Sequence, residues 1–169
     1  MKICIEGWLM TAGVLELDGL ALRIGAGQRL IGADLGAKTI GLALSDVERR
    51  IATPLATIQR TKFAKDAARL VALMEKFDAA ALVIGLPLNM DGSEGPRVQA
   101  ARAFARNFAP LSARPCAFWD ERLSTMAVTR SLIALDVSRA KRARAFDRLS
   151  AAFILQGALD RLRSLGPAV

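Results

Sequence analysis

The stretch from Leu30 to Asp46, LIGADLGAKTIGLALSD, constrains the fold more than any other part of this chain. Two short apolar runs, Leu30–Ile31 leading into Asp34 and Ile40 to Leu44, flank a turn that holds Gly36 and Lys38. That pattern predicts a β-hairpin with both arms mostly buried. Asp34 falls at the inner end of the first arm, where a carboxylate is costly to bury unless it is paired or meets a cation. Gly36 and Gly41 remove side chains beside it and open the backbone to a bulky ligand. Lys38 adds positive charge at the turn. The hairpin therefore suits a metal site, a phosphate site or both; it also suits a plain hairpin with an Asp in its turn, because short motifs recur by chance.

Composition narrows the chemistry. The 169 residues are most simply one domain, and an apolar content of 53% argues against disorder. Ala- and Leu-rich helix formers alternate with Val/Ile runs, which points to the α/β class. The net charge of +8 comes mainly from Arg, the residue better suited to bidentate phosphate contacts, so a polyanionic partner is expected. The absence of His excludes a His general base, a His-ligated zinc site and a Ser-His triad. Cys4 and Cys116 are isolated and form no CxxC pair, which fits reduced thiols in the cytoplasm; Cys116 reads as a small core residue. No apolar segment reaches the roughly 18 residues a membrane helix needs. Glu6, Glu16 and Asp18 break up the apolar stretch near the N-terminus, so no secretion signal is read there.

Along the chain, residues 1–28 read as an extension that packs loosely or pairs as an edge element, and 29–165 as the main domain. After the hairpin, Ile51 to Ile58 predicts a third strand, with Pro54 marking an edge or a bulge. Residues 62–77 carry apolar side chains at a 3–4 spacing and predict an amphipathic helix. Ala80 to Leu86 is an uncharged apolar run, expected as a strand buried on both faces. Its end, Gly85 to Pro96, reads as a loop by composition, at the carboxyl end of a central strand, a favoured ligand position in open α/β sheets. Arg97 to Phe108 returns to helical spacing with Arg97, Arg102 and Arg106 facing outward, and Pro110 is expected to end the helix. Cys116 to Trp119 predicts a short strand, followed by Asp120-Glu121-Arg122, a helix to about Leu135, a basic run over 139–148 and a last helix from Asp147 to Leu162.

Three acidic positions stand out: Asp34, the Asp120-Glu121 pair and Asp147. If they converge, their like charges need a cation. Mg²⁺ accepts a few carboxylates plus water and phosphate oxygens. Two such ions about 3.5–4 Å apart activate a water and stabilise the leaving oxygen of a phosphodiester without any His. Each residue also has a plainer role open to it: Asp147 as a helix N-cap, Glu121 and Arg122 as a surface ion pair, and the basic run as a solvated helix face.

Four motifs in order, GADLGAKTIGLALSD, VIGLPLNMDGSEGP, DERLST and FDRLSAAFILQ, resemble the YqgF/RuvX family of pre-16S rRNA nucleases and Holliday-junction-resolvase-like proteins. The resemblance runs from about Leu30 to Leu159. It implies an RNase H-like fold, a five-stranded mixed sheet flanked by helices. It also implies processing of the 5′ end of the small-subunit rRNA precursor, with acids that hold Mg²⁺ or Mn²⁺. By motif, the catalytic acids fall on Asp34, Asp120, Glu121 and Asp147, with Asp34, Glu121 and Asp147 as metal ligands. Lys38, Asn89, Arg122, Arg139, Lys141, Arg142 and Arg144 are the candidate nucleic-acid contacts. Precursor rRNA or a ribosomal particle is the expected partner, and branched DNA the alternative, for a monomer or weak homodimer. A resolvase acting in recombination and a ribosome-assembly protein without turnover are the competing readings. An actin-like ATPase or sugar kinase has a similar first hairpin but needs two such domains, more than 169 residues supply.

Overall fold

The computed structural model describes residues 13–122 and 139–166, the latter with side chains from 145 onward. Its elements are β1 (Val14–Leu15), α1 (Leu17–Ala21), β2 (Arg29–Leu35), β3 (Thr39–Ser45), β4 (Ala52–Gln59), α2 (Phe63–Lys76), β5 (Ala79–Leu86), α3 (Pro96–Ser112), β6 (Cys116–Asp120) and α4 (Arg139–Ser164). The expected helix between Leu123 and Leu135 lies outside the described residues.

The predicted hairpin forms as β2 and β3, with Asp34 opposite Gly41. β4 adds antiparallel to β3 as the edge strand, and Pro54 stands beside the register shift between Leu42 and Ala43. An edge tolerates a residue that cannot donate to the ladder. β5 and β6 add parallel on the other side of β2, giving the order β1-β6-β5-β2-β3-β4. The sheet has six strands where five were expected. The sixth, β1, comes from the N-terminal extension and pairs parallel with β6. A two-residue strand is too short to show any periodicity in the sequence. The described part of the extension pairs as an edge element, the second of the two expectations, and it is packed: Leu17 and Leu20 of α1 are buried in the core beneath α4.

Side-chain alternation divides the core between two layers. Ile31, Ala33, Ile40, Leu42, Leu82 and Ile84 face α2 and α3, where they meet Leu70, Met74, Phe104 and Phe108. Leu30, Ala43, Ala81, Val83 and Ala117 face α4, where they meet Ala151, Ile154, Leu155 and Ala158. Cys116 is fully buried, and burial pushes its thiol up to about 12, so it is an inert core residue.

Glycines let α4 approach the sheet closely. A Cβ on Gly41 would lie 2.0 Å from the Asp147 carbonyl oxygen, and one on Gly32 would lie 2.6 Å from Leu155 Cβ. Gly41 thus admits a helix backbone rather than the ligand its sequence context suggested. Across the same face, a Cβ on Gly157 of α4 would meet the Trp119 ring at 2.7 Å.

Two helix boundaries depart from expectation. α3 continues through Pro110 to Ser112, and Ala113 ends it in the left-handed region at φ 52°. Proline removes only one backbone bond near the last turn, and buried Phe104, Ala105, Phe108 and Ala109 hold that turn against the sheet. α4 starts by Arg139, so Asp147 lies well inside it rather than at its start. The basic run is built of Arg, Ala and Lys, all good helix formers, and nothing in it stops the helix.

Candidate active site

β2, β5 and β6 are parallel neighbours, so their carboxyl ends meet at one edge of the sheet. Residue 34 follows Ala33, which is level with Ile84, and Gly85 is level with Trp119. Asp34 lies on the α4 face, the same face as Gly32 two residues before it. Glu121 follows β6, and its Oε2 would be 3.0 Å from a Cβ on Gly85. Gly85 is therefore the gap that lets Glu121 lie back over the sheet toward Asp34. From the opposite side, α4 places Asp147 over Gly41, the residue paired with Asp34. One turn on, the hydroxyl of buried Ser150 donates to the Asp34 carboxylate.

The electrostatics match this convergence. Burial pushes the Asp34 carboxyl above its usual value; Arg97 opposes the shift, Asp147 adds to it and the Ser150 hydrogen bond opposes it. Burial also raises Glu121, with Asp34 adding to the push, Arg97 opposing and Asp120 adding, and its carboxyl is pushed up to about 7. Asp34 is the shared member: it acts on Glu121 and is acted on by Asp147. The Thr39 hydroxyl donates to Asp147 Oδ2 at 2.8 Å and orients that carboxylate. Among the described residues no group of three acidic, His or Cys side chains stands close enough to form a ready-made metal cage. The acids form two pairs that share Asp34.

A cleft of about 510 Å³ opens on this site, lined by Asp34, Glu121, Arg97, Phe146, Ser150 and the loop after β5. Asn89 and Arg122 also line it. The loop is ordered by its own bonds: Asn89 Nδ2 donates to Ser93 Oγ at 2.9 Å, and Ser93 N donates to Asp91 Oδ1 at 2.9 Å. Glu94 ties the loop to α3 through Arg102, whose guanidinium also lies over the Phe118 ring.

Other candidates lie elsewhere. Asp120 does not line the cleft; it binds Arg122, with Arg122 Nη2 2.6 Å from Asp120 Oδ2. Burial raises its carboxyl, but the Arg122 hydrogen bonds outweigh this and hold it below the usual range. Lys38 is exposed at the hairpin turn, away from the cleft lining. Arg139, Lys141, Arg142 and Arg144 belong to the start of α4, and their side chains fall outside the described residues. Sequence reasoning missed Thr39, Ser150 and Arg97. The i, i+3 spacing of Asp147 and Ser150 could have suggested the second, since such residues share a helix face. Arg97 is exposed, as expected, and it also lines the cleft because buried Val98, Ala101 and Phe104 fix the rotation of α3.

The raised Glu121 carboxyl has a stability consequence. Its folded value of about 7 lies above the ordinary 4.5, so the folded chain holds a proton that the unfolded chain has lost. Stability therefore falls as pH rises from about 4.5 to about 7, and the penalty is fully present above that. Glu121→Gln removes it. In metal-free buffer at pH 8 the variant is expected to be more stable by about 1–3 kcal/mol, allowing for screening at a partly exposed group. At pH 4 the two should melt together. Equal melting temperatures at pH 8 would show that Glu121 carries no such penalty.

Comparison with known proteins agrees with this architecture. Residues 28–161 match the family described as RuvX: Holliday junction resolvase. A Methylocella silvestris protein named "Putative pre-16S rRNA nuclease" is 69% identical over 156 residues, covering 92% of this chain and 97% of that protein. One of the same name from Rhizobium rhizogenes is 59% identical over 152 residues, covering 90% and 93%. Among solved structures, T. thermophilus RuvC in complex with Holliday junction substrate superposes with a TM-score of 0.52 over 81% of this chain and 97% of that one. At 15% identity that likeness establishes the fold alone, the RNase H-like arrangement of a mixed sheet between helices. With 134 consecutive positions spanned by the family match (28–161) and relatives this similar over nearly their whole length, the chain belongs to the RuvX family.

Proposed function

We propose that this protein is a metal-dependent endonuclease that processes the 5′ end of the small-subunit (16S) rRNA precursor. The observation that carries the reading is the half-buried acidic site at the carboxyl ends of β2 and β6, in a chain without His, combined with relatives named "Putative pre-16S rRNA nuclease", one of them 69% identical.

The residues fit a hard divalent cation. Asp34, Glu121 and Asp147 offer only oxygen donors, and burial, with neighbouring acids adding to it, raises the carboxyls of Asp34 and Glu121, so a cation that holds them ionised is favoured. Carboxylate pairs rather than a closed cage suit Mg²⁺ or Mn²⁺, which keep waters and take substrate phosphate oxygens as further ligands. When bound, such ions supply an activated water and a stabilised leaving oxygen. The chain's own residues prepare the site. Thr39 and Ser150 orient two carboxylates, the α4 backbone seated on Gly41 fixes Asp147, and the 87–95 loop with Asn89 and Arg122 bounds the path of the strand. Asp120 acts through Arg122, and Lys38, Arg139, Lys141, Arg142 and Arg144 supply flanking backbone contacts. The catalytic unit is residues 29–165. It acts in the cytoplasm on precursor rRNA or a ribosomal particle, and no described helix is long and apolar enough to cross a membrane.

The family description favours branched DNA as the second reading. Incubating the purified chain with 16S precursor RNA and with a four-way DNA junction, in Mg²⁺, Mn²⁺ or chelator, separates the two. Metal-dependent trimming of the RNA 5′ end is the expected result. Cleavage of the junction alone would move the substrate to DNA, and no metal-dependent cleavage of either would reject the nuclease.

A further inference from the structure

Arg97 is the second residue of α3, which begins at Pro96 after an N-cap glycine, Gly95. Its side chain lines the cleft together with Asp34 and Glu121, and its charge acts on both. The other described basic residue of the cleft lining, Arg122, is held by Asp120 through Nε at 2.8 Å and Nη2 at 2.6 Å. Arg102, further along the same helix, is likewise held by Glu94. Arg97 donates no hydrogen bond and forms no ion pair with a described residue. It balances the acids across a gap and keeps its guanidinium donors free of any partner among the described residues. A planar fork of free donors beside a pair of carboxylates matches a phosphodiester that must come to those carboxylates.

We propose that Arg97 is the built-in counter-ion of the acid site: it balances Asp34 and Glu121 before a divalent cation arrives, competes with that cation, and engages the scissile phosphodiester once the cation has taken over the acids. This rests on the metal-nuclease reading. It makes an opposite-sign demand on one residue: Arg97 opposes metal binding yet promotes cleavage. A merely structural arginine would move both in the same direction.

The test uses the full chain carrying Arg97→Ala or Arg97→Lys, with Mn²⁺ as the probe. Mn²⁺ affinity is measured by calorimetry without nucleic acid, and cleavage of 16S precursor RNA is measured at saturating Mn²⁺. Removing a nearby positive charge should tighten Mn²⁺ binding about 3- to 10-fold in Arg97→Ala. Arg97→Lys keeps the charge and should bind within about 2-fold of wild type. Cleavage should fall at least about 10-fold in Arg97→Ala and recover in part in Arg97→Lys, which lacks the fork. Arg97 is exposed, so melting temperatures should stay near wild type. Unchanged or weaker Mn²⁺ binding by a folded Arg97→Ala overturns the counter-ion role, and unchanged cleavage overturns the phosphodiester contact. If wild type binds Mn²⁺, Asp34→Asn does not, and Arg97→Ala behaves as wild type, this assignment alone fails. If wild type binds no Mn²⁺ and cleaves nothing, the metal-nuclease reading falls and takes this assignment with it.

Discussion

Asp34→Asn is expected to lower the cleavage rate by on the order of 10³-fold or more while leaving the fold and most nucleic-acid affinity in place. Asn is nearly isosteric and still accepts the Ser150 hydrogen bond, so the packing between β2 and α4 changes little. The lost group is the charge shared by both acid pairs, through which Asp34 acts on Glu121 and is coupled to Asp147. Burial raises the Asp34 carboxyl above its ordinary 3.8, so its ionised form opposes folding at neutral pH. Without metal the variant should melt at the same temperature as wild type or higher. Added Mg²⁺ should stabilise wild type and not the variant, by mass action on the folded state. Affinity for RNA should hold, because a chain with net charge +8 draws on contacts spread over its surface. Cleavage rate, melting temperature with and without Mg²⁺, and RNA affinity measured on one variant decide the matter. Near-normal cleavage would reject the metal site; loss of the fold would make Asp34 a structural residue.

Gly41→Ala is expected to be the most damaging Gly→Ala change among the described glycines. The added carbon would lie 2.0 Å from the Asp147 carbonyl oxygen and 2.3 Å from its carbonyl carbon. Both are backbone atoms, so no rotamer relieves the clash and α4 must lift from β3. Overpacking of this kind costs about 3 kcal/mol. For a domain of this size that lowers the melting temperature by about 6–12 °C. The lift also carries Asp147 away from Asp34, so the protein that remains folded should cleave poorly. Gly19→Ala serves as the control: it lies inside α1 with nothing within 4 Å of the new carbon. Replacing a helical glycine there should be neutral or stabilising by up to about 1 kcal/mol. Thermal melts and cleavage assays on both variants check the contrast. A Gly41→Ala protein that melts within a degree or two of wild type would show that α4 is not seated on that glycine.

These variants mark the division between what the sequence determined and what tertiary structure decided. Local periodicity was enough for the β2–β3 hairpin, the amphipathic α2, the doubly buried β5 and the edge placement of β4 at Pro54. Burial follows a 3.6-residue repeat in α2 and short continuous apolar runs in β2, β3 and β5, patterns that neighbouring residues display by themselves. The acids and their oxygen-donor chemistry were legible for a similar reason: ionisable residues at the ends of apolar runs are costly and therefore conspicuous. Their meeting was not legible. Asp34, Arg97, Glu121 and Asp147 come from two strand ends and two helices far apart in the chain; only the parallel register of β2, β5 and β6 brings the first three to one cleft, and only the seating of α4 brings Asp147 near Asp34. The same holds for Gly19 and Gly41, identical in sequence terms, one facing open space and the other a helix backbone. Pro110 could not end α3 because the buried face of that turn outweighs one missing hydrogen bond, and Asp147 could not cap α4 because the basic run before it is itself helical. Propensity acts over a turn or two; packing acts over the whole sheet, and where they differed packing prevailed.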